Sequence, residues 1–163
     1  MSRKKQPKQI SRRLLGNEEH IARYCYRQQI LRDPETGDVI SILDSFKLRP
    51  IDKGELSVDQ FEKLGNDFNA RLKTAVSTFR SMIKHSPVTA DSMISVLNVG
   101  AVKEIGRGAG KELKVKDKSR PDRPTYAHLL GLPHDNSDNS LLASLSDEGI
   151  KSCHFIEVID KLP

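Results

Sequence analysis

Residues 56–83 read LSVDQFEKLGNDFNARLKTAVSTFRSMI, and the fold class turns on how this stretch is divided. Apolar side chains recur at Phe61, Leu64, Phe68, Leu72, Ala75 or Val76, Phe79, and Met82 or Ile83. Steps of three and four over that length predict an amphipathic helix. Ser57 with Gln60 three residues on has the pattern of a capping box, and Leu56 with Phe61 fits a hydrophobic staple around it. The spacing therefore predicts helix over 58–84, broken near Gly65-Asn66 if anywhere and ended by Ser86-Pro87.

Upstream, Ile21 to Ile30 has the apolar and aromatic character of a strand. Asp33-Pro34-Glu35-Thr36-Gly37-Asp38 supplies turn chemistry, and Val39 to Leu48 resumes β-type residues, so a hairpin is expected as the first element. Downstream, Met93 to Val102 is apolar on both alternating faces, as in a central strand. Gly106, Gly108 and Gly110 then predict a turn, with Glu112 to Lys118 as the hairpin partner. Thr125 to Leu132 reads as a strand, Ser140 to Glu148 as a short helix capped by Gly149, and Phe155 to Ile159 as a last strand. The expected fold is α+β: about six mostly antiparallel strands packed on one long amphipathic helix and one short C-terminal helix. At 163 residues and 36% hydrophobic content this is one domain, residues 18–163, behind a flexible basic arm, residues 1–17.

Charge is distributed unevenly. The chain holds 27 basic and 22 acidic side chains, and Arg3, Lys4, Lys5, Lys8, Arg12 and Arg13 precede the first acid, Glu18. Without those six cations the remainder is near neutral, so the arm alone calls for a polyanionic partner or is a solvated tail. The arm contains no aromatic residue for base stacking. Its single large apolar residue, Ile10, gives no amphipathic face for a targeting sequence, and no apolar run reaches the length of a membrane span. A cytoplasmic protein without a membrane partner is expected. A second basic stretch holds Arg107, Lys111, Lys114, Lys116, Lys118, Arg120 and Arg123. Lys114, Lys116 and Lys118 alternate, so a strand would project them from one face, as a phosphate-facing surface or as protection of a sheet edge.

Motifs of catalysis are few. Residues 106–111 (GRGAGK) lack the glycine spacing of a phosphate loop, and Glu112 stands where Ser or Thr is required. The five histidines show no metal spacing, and Cys25 and Cys153 form neither a zinc motif nor a disulfide scaffold. No metal or cofactor is implied. Were the chain an enzyme, His20, Arg23, Arg49 and His128 would be the candidates, since a His and Arg pair stabilises an anionic intermediate while a second His moves a proton. The same side chains serve equally as hydrogen-bonded surface residues.

Several short blocks stand in a distinctive order: Ser45-Phe46-Lys47-Leu48-Arg49-Pro50, Leu56-Ser57-Val58, Leu97-Asn98-Val99-Gly100, and Tyr126-Ala127-His128-Leu129-Leu130-Gly131-Leu132-Pro133. Over residues 18–150 the chain resembles a group of small bacterial proteins carrying F-x-L-R-P, L-S-V and H-x-x-G-L-P type blocks, a group with no established activity. The resemblance implies a bacterial origin and one domain, and no catalytic residues. The expectation is a non-enzymatic accessory protein or complex subunit that docks on a protein partner and contacts DNA or RNA through its arm, in phage defence or on a mobile element. Two alternatives stand beside it: an enzyme acting on a nucleotide or nucleic acid through His20, Arg23 and His128, and a pure protein-interaction subunit.

Overall fold

A computed structural model describes residues 13–83, 88–134 and 138–163. Among these, six strands form one antiparallel sheet: β1 (His20–Cys25), β4 (Glu55–Gln60), β5 (Met93–Asn98), β6 (Lys114–Asp117), β7 (Tyr126–Leu130) and β8 (Cys153–Phe155). Their order is β6-β7-β4-β1-β5-β8, and β2 (Leu31–Arg32) with β3 (Val39–Ser41) makes a separate two-stranded ribbon. The helices are α1 (Phe68–Met82), α2 (Val99–Gly108), α3 (Asn139–Ile150) and the single turn α4 (Ile156–Ile159). The class is α+β, as the sequence predicts.

Alternation along the strands divides the core in two. Ile21, Leu56, Val58, Met93, Leu97, Val115, Ala127 and Leu129 pack on one face against Val99 and Val102 of α2, Leu141, Leu142 and Leu145 of α3, and Phe46. Ala22, Tyr24, Ile94 and Val96 pack on the other against Leu72, Ala75, Val76 and Phe79 of α1 and Ile156 and Ile159 of α4. These second-face helices cover β1, β5 and β8. Among the described residues no α-helix packs on β4, β7 and β6 on that side, where the 3-10 turn Pro50–Asp52 stands beside Glu55, Ser57, Tyr126 and His128.

The decisive stretch splits differently from its helical reading. Residues 55–60 are strand, 61–64 a 3-10 turn, and the helix begins at Phe68, where Asp67 Oδ1 accepts from the Ala70 amide. Leu56, Val58 and Gln60 alternate onto the core face, and pairing with both β1 and β7 outweighs the local capping pattern. Ser57 Oγ bonds the Tyr126 hydroxyl instead of capping, and Gln60 Nε2 donates to Asp117 Oδ1.

Four further expectations need correction. β1 is not half of a hairpin with Val39–Leu48; it lies between β4 and β5, while the expected turn joins the short β2–β3 ribbon. The strand at Met93 stops at Asn98, whose Oδ1 accepts from the Ala101 amide and starts α2, so Gly106 and Gly108 lie in a helix and β6 pairs with β7. The last strand is only Cys153–Phe155, and Gly149 lies within α3, held against Ser95 Oγ and Ile42. Finally, residues 13–17 belong to the domain rather than the arm. The Leu15 amide donates to Val115 O and the Asp117 amide to Arg13 O, so this segment lines the outer edge of β6, and Leu15 is 3% exposed. Both thiols are free, and burial pushes Cys25 up to about 11. No helix among the described residues is long and apolar enough to cross a membrane.

Candidate nucleic-acid interface

The uncovered half of the second sheet face is built from three cross-strand rows. Register places Lys114, Leu130 and Glu55 in one row and Lys116, His128 and Ser57 in the next. The third sets Lys118, whose amide donates to Tyr126 O, beside Tyr126 and Asp59. A lysine thus leads each row at the sheet edge, with Tyr126 and His128 in the middle strand.

The acids of the inner strand are already occupied. Asp59 accepts from Thr125 Oγ1 at 2.7 Å and pairs with Arg123 at 3.4 Å, its carboxyl raised by burial against those partners. Glu55 Oε2 lies 2.6 Å from His128 Nδ1. Burial lowers the His128 pKa, against the pull of Glu55, and leaves Nε2 buried without a hydrogen-bond partner. Lys116 and Lys118 make no salt bridge among the described residues. Over Tyr126 lies the Arg123 guanidinium, 3.7 Å from the ring centroid, with Arg120 at 5.4 Å. A face carrying Lys116, Lys118 and an arginine-stacked tyrosine matches the chemistry of phosphate and base contact.

Lys111, Arg107, Lys103 and Lys114 surround a concavity floored by half-exposed Leu14, with Arg107 paired to Glu104 and Lys114 to Glu112 at 3.3 Å. Arg120 pairs with Asp122 at 3.6 Å. Arg13 is a structural strap: Nη1 and Nη2 hold Glu19 at 2.9 and 3.0 Å, and Nη2 also reaches Gln60. That bond lowers the Glu19 pKa and raises that of Arg13. Arg3, Lys4, Lys5, Lys8 and Arg12 lie outside the described residues, but they precede Arg13, which sits on the β6 edge.

The four catalytic candidates do not share one pocket. His20 lies at the start of β1, its backbone and Nδ1 both bonded to Glu62. Arg23 and Arg49 line a cleft at the other end of that strand, and Arg49 and His128 line a shallower one beside it. Arg49 is bonded to Asp52 and is 75% exposed. The trio His20, Arg23 and His128 therefore does not assemble, and the buried His128 Nε2 is not presented to a substrate. No cluster of His, Cys, Asp and Glu among the described residues could hold a metal. Sequence reasoning missed Tyr126, Asp59 and Glu55; the spacing Arg120, Arg123, Tyr126 ahead of a strand was the available signal for the first. Comparison with protein-family models, with curated proteins and with solved structures returns no match.

Proposed function

We propose that this protein is a non-enzymatic nucleic-acid-binding subunit that takes single strands across the open half of its sheet and anchors them with its basic arm. The observation that carries the reading is the row of lysines beside the Arg123–Tyr126 stack on a face that no α-helix among the described residues covers. The arm joins the domain at that same edge, so both surfaces address one polyanion. Stacking platforms of this kind favour unpaired bases, because only they expose a ring face.

The test compares the full chain with a variant beginning at Arg13, titrated against labelled single- and double-stranded DNA and RNA at several salt concentrations. Removing Arg3, Lys4, Lys5, Lys8 and Arg12 should flatten the log–log salt slope on single strands by up to about 3.5 if each meets a phosphate. Tyr126→Ala should weaken binding about 5- to 100-fold with the slope unchanged, since stacking releases no counterions. Absence of binding by the full chain at low salt would overturn the reading.

A further inference from the structure

Where the β1–β4 ladder ends, past Ala22 and Asp59, the surface sinks into a cleft of about 440 Å³. Phe79 and Met82 of α1 form an apolar wall, Tyr24 and Tyr26 stand beside it, and Arg23, Arg49 and Arg123 arrive from three separate segments. We propose that this cleft binds a phosphate monoester carried by a nucleoside, the phosphate on the three guanidiniums and the nucleoside against Tyr26 and the α1 wall.

Arg23 is the first reason. Its Nε donates to Ser45 O and its Nη1 to Ser57 O, both at 2.9 Å. The second bond satisfies a carbonyl left over where the ladder stops. Both acceptors are neutral, and no carboxylate lies within 4 Å among the described residues. A guanidinium has five N–H groups, so three remain beyond those bonds. Plugging a ladder gap requires only a donor, whereas a half-buried guanidinium in a cleft wall, with Asp52 as its nearest compensating carboxylate, also presents charge to whatever enters. A structural role explains the hydrogen bonds of Arg23 and not its charge.

Unsatisfied donors are the second reason. Three buried side-chain N or O atoms among the described residues lack a hydrogen-bond partner: Tyr24 Oη, Arg123 Nε and His128 Nε2. The Tyr24 hydroxyl lies toward Ser92 without a bond of ordinary length. Buried polar atoms are nearly always paired, so this concentration is informative. Tyr24 and Arg123 line this cleft, and His128 lines the one adjoining it through the shared Arg49 and Ser57. Arg123 Nε is a donor at this cleft and asks for an acceptor oxygen, whereas the Tyr24 hydroxyl is directed to Ser92, outside the lining. A phosphate offers more acceptors than a carboxylate and meets guanidiniums from several directions. The volume suits a mononucleotide.

The experiment titrates the full chain with AMP, inorganic phosphate and adenosine. It follows the arginine Nε–Hε resonances together with tyrosine emission, which the lack of tryptophan leaves unobscured. AMP should shift Arg23 and Arg123, and adenosine should bind at least tenfold more weakly. Arg49→Gln, at an exposed position that spares the fold, should weaken AMP about tenfold or more. An oligonucleotide with a 5′-phosphate binding more tightly than its 5′-hydroxyl twin would identify a strand terminus as the source of the phosphate; equal binding would identify the free nucleotide. Unmoved arginine resonances at millimolar AMP, or unchanged affinity in Arg49→Gln, would overturn the proposal. Salt-dependent strand binding without AMP binding removes this cleft alone, and the reverse removes the sheet interface alone.

Discussion

Asp117→Asn tests the knot that fastens the beginning of the domain to the sheet. Asp117 ends β6 with its side chain 6% exposed, and Oδ1 accepts from the Ser119 amide at 2.8 Å, Ser119 Oγ at 2.6 Å and Gln60 Nε2 at 3.0 Å. Lys63 Nζ lies 3.5 Å from Oδ2. Burial by itself would raise this carboxyl, but the Ser119 bonds, the Lys63 charge and Gln60 overcome it and hold it at about 2, against an ordinary 3.8. That difference corresponds to about 2–3 kcal/mol of stability. Because the folded value is the lower one, the contribution is complete above the unfolded pKa and is lost as pH falls through 3.8 toward 2. Urea unfolding followed by circular dichroism from pH 7 to pH 2.5 reads it directly. The variant should be less stable by about 2–3 kcal/mol at pH 7 and should lack that share of the acid loss. Equal stability at pH 7, or an unchanged pH profile below 4, would refute the reasoning.

Two other substitutions probe the remaining buried constraints. Arg123→Gln leaves Asp59, whose side chain is 2% exposed, without its cation and should cost about 3–5 kcal/mol; the deficit should shrink in acid, and adding Asp59→Asn should restore most of it in calorimetry. Gly149→Ala places a Cβ 2.8 Å from both Ser95 Oγ and Ile42 Cδ1. It should lower stability by about 1–3 kcal/mol despite the better helix former, and an unchanged or raised Tm would count against this packing.

What the sequence revealed follows the range of the interactions involved. The helix after Asp67, the turn at 33–38, β7 and α3 rest on local periodicity and turn chemistry, and all were legible. β4 was hidden because Ser57 and Gln60 satisfy a helix cap and a strand alternation equally, and only partners at Ala22 and His128 decide between them. α2 was legible in principle: Asn98 is a good cap, and Val99 and Val102 keep helical spacing. The alternating lysines were readable as one face. Their neighbours were not, because Asp59 and Arg123 lie far apart in sequence, as do Arg23 and Ser57. Composition marks cations, but only folding shows which acids neutralise them.

The place of β1 also shapes how the chain is made. Among the described strands of the sheet it is the earliest in sequence, yet its register partners lie at residues 59–60 and 93–98. Pairings that distant in sequence are slow to close, so a run of Ile21-Ala22-Arg23-Tyr24-Cys25-Tyr26 waits unpaired through much of synthesis. A charge inside such a strand acts as a gatekeeper against premature self-association. Arg23 is the one charged residue in that run, so the guanidinium that later closes the ladder gap first keeps the nascent strand soluble.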